Sequence, residues 1–353
     1  MEKKSLAFLE KLITLPSPSG YEIDVQRCIK KELNAITPRV KTDVMGNVYG
    51  ILNPDGAPRV MLAGHCDEIG LMVNFISEEG FIYFRAIGGI DPHLLPGRRV
   101  NIWGNKGAVR GVIGRKPIHL LEDEERKKVN KIEELFIDVG VKNKKELQDR
   151  VSIGDPVTFQ EGLEFLQQDI AVARGFDDRI GAFMVVEALR SLKEEKFPAS
   201  VYGVSTVQEE VGLRGARPST FSIHPDVGIC LEVGFATDFP GVDKKKTGEV
   251  KLGKGPIISR GPNINPALFE LLVKTAEEKK IPYQLSGEPR GTGTDANVMQ
   301  LSREGVATCL ISIPLRYMHT PVELLSLKDV ENTVKLVKEI VLKITPEIKF
   351  SPV

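Results

Sequence analysis

The sequence predicts an α/β fold in which a small β-rich segment is inserted into a larger α/β domain. Short apolar segments typical of buried strands alternate with segments of helical periodicity, which favours a mostly parallel sheet covered by helices. Residues 71–162 instead alternate apolar and polar residues between glycine-bearing turns, a pattern typical of a small β-barrel or β-sandwich. We therefore expect a three-layer α/β/α sandwich formed by residues 1–70 and 163–353, interrupted by a β-rich insert at residues 71–162.

The expected helices and strands follow in order along the α/β part. Helical periodicity predicts helices at residues 6–14, 23–35, 179–192, 267–279, 295–302 and 327–344. Apolar runs predict strands at residues 48–52, 60–64, 201–207, 227–233 and 307–313. Because Glu10 and Lys11 interrupt the first apolar stretch, we expect an amphipathic helix there rather than a signal peptide.

Composition narrows the class of protein. The chain has 353 residues, 41% of them hydrophobic, which is enough for a large core. Lys plus Arg and Asp plus Glu each number 48, so no net charge attracts nucleic acid or an acidic membrane surface. No segment approaches the roughly 18 consecutive apolar residues of a membrane span. We expect a soluble protein that binds neither nucleic acid nor membranes.

The cysteines indicate a reducing compartment. Cys28, Cys66, Cys230 and Cys309 are scattered and form no CxxC pair. Such spacing favours free thiols over a disulfide framework or a thiolate metal site. We therefore expect a cytoplasmic protein.

Metal-capable side chains follow the ends of several apolar segments. They are His65, Asp67, Asp177, Asp178, Glu209, Glu210, Glu232 and His319. Functional residues of an open α/β sheet gather beyond the carboxyl ends of its strands, so we expect these groups to converge. Carboxylates are rarely buried unless they are paired or bind a metal, and imidazole with carboxylate ligands suits zinc or cobalt. The set predicts a site for two divalent cations that share a bridging carboxylate.

Each of these residues also has an ordinary structural explanation. A histidine after a strand can be a hydrogen-bonded structural residue, and an Asp-Asp pair ahead of a helix can cap it. A Glu pair can be solvated, and Glu232 can belong to a buried ion pair. The accumulation of several carboxylates and two imidazoles at one sheet edge is what favours the metal site.

The adjacent carboxylates of Glu209 and Glu210 predict a ligand beside a catalyst. Neighbouring side chains at a strand end project in different directions, so one can bind a metal while the other reaches a point above it. There it can take the proton of an attacking water and return it to a leaving amine. A divalent metal lowers the pKa of water to roughly 7 and polarises a substrate carbonyl.

Several segments resemble, in order, motifs of the tetrahedral di-metal aminopeptidases, peptidase family M42, which are glutamyl aminopeptidases once labelled cellulases or endoglucanases. The segments are GHCDEIGLMV, GFDDRIGA, VQEEVGLRGA, GTGTDANVMQLSREGVAT and IPLRYMHTPVE. The insert resembles the family through GGIDPHLLPGRRV and GVIGRKPIHLL. One motif alone is moderately specific, whereas the ordered set covers essentially the whole chain.

The resemblance implies a metal ligand set. It consists of His65 and Glu232 at one metal, Glu210 and His319 at the other, and Asp177 as the bridge between them. The cofactors would be two divalent ions per subunit, Zn²⁺ or Co²⁺. The family often has Asp where this chain has Glu232, so the resemblance leaves the choice of metal open.

The resemblance also implies catalytic roles. Glu209 would be the general acid/base, and Asp67 would orient the imidazole of His65 through its far ring nitrogen. Asp178 would follow a cis Asp–Asp peptide that aims the bridging carboxylate. A thiolate ligand from Cys66 is an alternative that strand alternation disfavours, because it points the side chain away from the metals. Asp295 would either cap a helix or, as the resemblance implies, contact the substrate or the ligands.

The implied activity is that of a metallo-aminopeptidase that removes N-terminal residues from peptides. The resemblance further implies a homododecameric, tetrahedral shell built from dimers, in which the PDZ-like insert supplies the dimer contacts. His93 and His119, both in the insert, would lie near such a contact.

Other functions remain open at this stage. They are an inactive or chaperone-like shell, an N-deacylase or dipeptidase with the same metal chemistry, and a glycoside hydrolase. A glycoside hydrolase needs two carboxyl groups about 5–9.5 Å apart across the scissile bond and no metal, which the adjacent Glu209 and Glu210 suit poorly.

Overall fold

The computed structural model describes residues 1–160 and 162–351, which form helices, two sheets and a barrel. The helices are α1 (Lys3–Thr14), α2 (Ile23–Asn34), α3 (Asp123–Arg126), α4 (Phe176–Leu192), α5 (Ala216–Ile223), α6 (Lys244–Thr247), α7 (Pro266–Glu278), α8 (Asp295–Gln300) and α9 (Leu327–Lys343). The strands are β1 (Val40–Thr42), β2 (Val48–Leu52), β3 (Arg59–His65), β4 (Gly70–Ile76), β5 (Ile82–Ile87), β6 (Arg99–Gly104), β7 (Gly107–Gly114), β8 (Phe136–Asp138), β9 (Pro156–Phe159), β10 (Glu164–Phe165), β11 (Ile170–Ala173), β12 (Ser200–Thr206), β13 (Val227–Phe235), β14 (Ile257–Arg260), β15 (Gln284–Gly287), β16 (Ala307–Leu315) and β17 (Glu323–Ser326).

The main sheet runs in the order β1-β2-β12-β3-β13-β16-β14-β15. At its centre, β12, β3, β13 and β16 are parallel, while β2 and β14 run antiparallel to their inner neighbours. The parallel strands are buried almost throughout, which explains their continuous apolar sequences. Their carboxyl ends therefore meet at one edge of the sheet.

Helices cover both faces of this sheet. On one face, α4 packs against β3, β12 and β13, and α1, α2 and α9 pack against α4. On the other face, α5 and α8 contact each other and the same central strands. The three-layer α/β/α sandwich expected from the sequence is confirmed.

Helix α4 lies directly against β3 because neither carries a side chain at the point of closest approach. A Cβ atom on Gly64 would overlap the backbone of Gly181. A Cβ atom on Gly181 would overlap the carboxylate of Asp178 and the carbonyl oxygen of Leu231. The contact brings the first turn of α4 to the carboxyl end of β3, where His65 lies.

Strands β4, β5, β8, β7, β6 and β9 close into an antiparallel barrel with a core of its own. The alternation seen in the sequence is present in β7, where Val109, Gly111 and Ile113 are buried and the residues between and before them are exposed. The β-rich segment is thus a barrel rather than a sandwich.

Sequence reasoning missed several short elements. They are helices α5 and α6, strands β1, β14 and β15 at the two sides of the main sheet, and the small sheet β10-β11-β17. The strands among them have two to four residues each, too few to show a period. Within the described ranges, every helix is too short or too polar to traverse a lipid bilayer.

Candidate metal centre

The side chains expected to bind metal meet at the carboxyl edge of the main sheet. They are His65 at the end of β3, Asp177 in the first turn of α4, Glu210 after β12, Glu232 in β13 and His319 after β16. The parallel strands place four of them there because each strand ends at the same edge, and α4, which packs against β3, brings Asp177 to it.

Asp177 lies between the two imidazoles. Its Oδ1 is 3.4 Å from Nε2 of His65, and its Oδ2 is 3.3 Å from Nε2 of His319. The same ring nitrogen of His319 is 3.4 Å from Oε2 of Glu210. One carboxylate thus presents one oxygen to each histidine, an arrangement that suits a ligand shared by two cations.

Two groups of ligand atoms are compact enough to surround a cation. One atom each of His65, Asp177 and Glu210 lie within 4.8 Å of one another. The same holds for one atom each of His65, Asp178 and Glu232. Oε1 of Glu232 lies 3.3 Å from Nε2 of His65.

Buried carboxylate oxygens in this cluster need further positive partners. Among the residues that the structure describes, no hydrogen-bond donor reaches Oε1 of Glu210, Oε2 of Glu232 or Oδ2 of Asp178. Leaving buried anionic oxygens unpaired is costly, and a cation among them removes that cost. Imidazole nitrogen and carboxylate oxygen are the donors that divalent transition metals accept, so these residues fit such an ion.

The pKa values in the cluster reflect an excess of buried negative charge. Burial raises the pKa of Glu209 to about 10 and that of Glu210 to about 7. Hydrogen bonds to Asp177 and Glu210 raise the pKa of His319 to about 11. Burial disfavours a charged His65, yet the surrounding carboxylates outweigh it and hold its pKa well above the usual value. These carboxyl and imidazole groups hold their protons more strongly than usual, because the cluster contains many buried carboxylates and few positive charges.

Asp67 holds the glutamate doublet as well as a histidine. Its Oδ1 accepts the backbone N–H of Glu209 at 3.0 Å, and its Oδ2 accepts that of Glu210 at 3.2 Å and the hydroxyl of Ser19 at 2.7 Å. Nδ1 of His65 lies 3.1 Å from the carbonyl oxygen of Asp67 and 3.3 Å from its Oδ1. The far ring nitrogen is therefore anchored by Asp67, which leaves Nε2 facing the other carboxylates.

A cavity of about 1010 Å³ opens beside the cluster. Much of its wall is apolar, and the apolar lining includes Phe235, Phe239, Val250, Ile257 and Leu285. A space of this size accommodates a small peptide segment rather than a single ion.

The sequence of this chain matches a known protein family. The sequence model of the family described as M42 glutamyl aminopeptidase matches residues 46–336. The chain belongs to the M42 family. It is therefore an aminopeptidase, a hydrolase that cleaves peptide bonds.

Relatives and solved structures agree with M42 membership. A lysyl aminopeptidase of Pyrococcus furiosus is 40% identical over 98% of each chain. The TET aminopeptidase of Thaumarchaeota archaeon SCGC AB-539-E09 has a TM-score of 0.93 at 38% identity, covering 98% of this chain and 97% of that one. The TET1 peptidase of Pyrococcus horikoshii, which can assemble into a tetrahedron or a large octahedral shell, has a TM-score of 0.86 at 34% identity, covering 96% and 100%. The family resemblance drawn from the sequence motifs is confirmed.

In this M42 chain, two carboxylates near the cluster escaped the sequence reasoning. Glu323 in β17 accepts the backbone N–H groups of Asp177 and His319, both at 3.0 Å. Glu68 pairs with the guanidinium groups of Arg174 and Arg179. Both glutamates lie within the motifs GHCDEIGLMV and IPLRYMHTPVE, but their contacts with Arg174, Arg179 and Asp177 could not be predicted because these partners lie far along the chain.

Asp295 has a contact that the sequence did not suggest. The side chain does not cap α8; its Oδ2 accepts the hydroxyl of Thr206 at 2.6 Å. Burial raises the pKa of Asp295 to about 6.

Cys66 belongs to neither compact group of ligand atoms within the described chain, and burial raises the pKa of its thiol well above the usual value.

The segment before His319 is held by an ion pair. Arg316 donates from Nε and Nη2 to the two carboxylate oxygens of Asp238 at 2.8 and 2.7 Å. A two-point contact of this kind fixes the plane of the guanidinium group. Asp238 is thus a partner of the segment that carries His319 rather than only a turn residue.

Proposed function

We propose that this M42 chain removes N-terminal residues from peptides with two divalent cations, Zn²⁺ or Co²⁺, bound at the carboxyl edge of the main sheet. His65 and Glu232 hold one cation. Glu210 and His319 hold the other, and Asp177 bridges the two. The observation that carries the proposal is the position of Asp177, whose oxygens lie 3.4 and 3.3 Å from the two imidazoles.

Divalent cations at this site would activate water and polarise the scissile carbonyl. Glu209 transfers the protons: its carboxylate takes one from the attacking water and gives one to the leaving amine. Its Oε2 lies 3.7 Å from Nε2 of His65, at the edge of the ligand cluster, and Asp67 holds its backbone. Cations beside Glu209 would favour its ionised carboxylate, which is the form that accepts the first proton.

The peptide substrate occupies the cavity beside the cluster. Its apolar wall receives the side chain of the N-terminal residue, while the ligand cluster lies next to the scissile bond. Lys246 and Glu288 also line the cavity and offer charged contacts away from the ligands.

Metal removal tests this proposal. We expect chelation to abolish hydrolysis of a panel of aminoacyl chromogenic substrates, and added Zn²⁺ or Co²⁺ to restore it. Metal content measured by mass spectrometry confirms that chelation is complete. An N-acetylated version of the best substrate is the matched control, and it should resist cleavage.

Two results would contradict the aminopeptidase proposal. Full activity in metal-free protein would exclude the metal mechanism. Hydrolysis of the N-acetylated substrate in place of the free amine would instead support an N-deacylase on the same ligands.

We further propose that the barrel supplies the dimer contacts of a homododecamer. The barrel segment exposes Ile118 by 61% and Leu120 by 65%, and His119 lies between them. Adjacent exposed apolar side chains favour a protein contact. The TET1 peptidase of Pyrococcus horikoshii, which can assemble into a tetrahedron or a large octahedral shell, supports assembly of this chain into a closed homo-oligomer.

The double substitution Ile118→Asp and Leu120→Asp is expected to produce a smaller assembly, because two charges would be buried at the proposed contact. Light scattering after size-exclusion chromatography measures the mass. Leu301→Asp is the matched control, since Leu301 is 78% exposed and lies at the end of α8, outside the barrel. An unchanged mass in the double variant would refute the role of the barrel.

A further inference from the structure

Glu323 lies outside the proposed ligand set but contacts two of its members. Its side chain is buried, with 1% exposure. Oε2 accepts the backbone N–H of Asp177, and Oε1 accepts that of His319, each at 3.0 Å. One carboxylate therefore joins the backbones of two residues whose side chains meet at 3.3 Å, from Oδ2 of Asp177 to Nε2 of His319.

Both of these backbones are irregular. His319 has a φ of 60° and Tyr317 a φ of 61°, in the left-handed region that residues other than glycine seldom adopt. Asp177 has φ −79° and ψ 106°, which departs from helical geometry inside α4. Backbone N–H groups in such segments lack the partners that a regular helix or strand supplies, so each needs another acceptor.

Strand pairing explains why Glu323 can reach both segments. β17 pairs with β11 so that Glu323 lies opposite Ala173, shortly before α4 begins. The next residue, Leu324, bridges to Arg316, which directly follows β16. The side chain of Glu323 is thus held between the segment that leads to Asp177 and the segment that carries His319.

We propose that Glu323 is a positioning residue that sets the distance between the carboxylate of Asp177 and the imidazole of His319. It thereby sets the cation affinity of the pocket that these two form with Glu210. The inference rests on the proposed two-metal function. His65, at the other pocket, is held by Asp67 instead, so loss of Glu323 affects the two pockets unequally.

The variant Glu323→Gln tests the inference. Glutamine keeps the shape but has one acceptor oxygen, and its NH₂ group can only donate, so one of the two backbone N–H groups loses its acceptor. We expect calorimetric titration of the chelated protein with Zn²⁺ to give two sites in the wild type. In Glu323→Gln we expect one site to weaken by about tenfold or more and the other to stay unchanged.

Asp329→Asn is the matched control. Asp329 in α9 is also buried and also accepts two backbone N–H groups, those of Gly253 and Gly255, both at 2.7 Å. The substitution makes the same chemical change away from the ligand-bearing segments. We expect it to lower the melting temperature and leave both zinc affinities unchanged.

The outcomes separate this inference from the proposed function. A wild type that does not bind two ions would overturn the proposed function and the inference together. A two-site wild type with unchanged affinities in Glu323→Gln would overturn the inference alone. If Asp329→Asn weakened one zinc site as much as Glu323→Gln does, the inference would also be overturned, because loss of any buried carboxylate would then have the same effect.

If Glu323→Gln does not fold, a measurement on the wild-type protein tests whether Glu323 holds the two backbone N–H groups. Hydrogen exchange of the chelated wild-type protein reports the protection of the Asp177 and His319 amides. Slow exchange at both positions is expected if Glu323 holds them. Exchange of the His319 amide at the rate of an exposed turn would overturn the inference.

Discussion

The variant Glu209→Gln is expected to lose about 10³-fold in kcat while retaining both cations, because a carboxamide cannot take up and release the proton. Glutamine matches glutamate in size, and the backbone N–H of residue 209 would still donate to Asp67 as it does at 3.0 Å. The ligand cluster should therefore keep its geometry, and the defect should lie in the proton transfers alone.

The neighbouring substitution Glu210→Gln is the matched control for this prediction. Glu210 is the next residue in the chain, but its Oε2 lies 3.4 Å from Nε2 of His319, among the proposed ligands. We expect Glu210→Gln to lower metal content, whereas Glu209→Gln should leave it unchanged. Metal analysis and kcat measured on the same preparations separate the two roles. Normal turnover in Glu209→Gln would exclude it as the acid/base.

The variant Asp177→Asn is expected to lose metal and activity together, with kcat/KM falling by more than about 100-fold. The two carboxylate oxygens of Asp177 lie 3.4 and 3.3 Å from the imidazoles of His65 and His319, so both proposed cation pockets depend on this side chain. An amide has a single oxygen to offer and no negative charge, so it cannot replace a shared carboxylate.

Asp295→Asn controls for the loss of a buried carboxylate near the cluster. Asp295 is 1% exposed and bonds to Thr206 rather than to a proposed ligand. Metal content measured by mass spectrometry should fall in Asp177→Asn and remain at the wild-type level in Asp295→Asn. Two ions per subunit in Asp177→Asn would refute the bridging role.

The convergence of most of the cluster could be predicted because His65, Glu210, Glu232 and His319 lie in or follow neighbouring parallel strands, whereas Asp177 comes from helix α4. Strand β12 was expected at residues 201–207 and is found at Ser200–Thr206, and the strand that carries His65 was expected at residues 60–64 and is found at Arg59–His65. Buried parallel strands are easily recognised, since their apolar runs are continuous. Short strands near the side of the sheet, such as β14 (Ile257–Arg260), carry no such signal.

Contacts between segments far apart in the chain could not be predicted. Glu323 bonds to Asp177 across 146 residues, and Asp67 bonds to Glu209 across 142. Sequence periodicity reports on neighbours within a few turns, so it carries no information on such pairs. Asp67 was assigned to His65 alone by the family resemblance, yet it also holds the backbone of the glutamate doublet.

The sequence by itself determined the main helices, the central strands of the large sheet, the β-rich character of residues 71–162 and the family, because local periodicity and ordered motifs are properties of the chain. Only the tertiary structure decided that the β-rich segment closes into a barrel, that Asp177 faces both imidazoles and that Glu323 joins two ligand-bearing backbones. Those features depend on strand register and on the close packing of Gly64 against Gly181, which no single segment specifies.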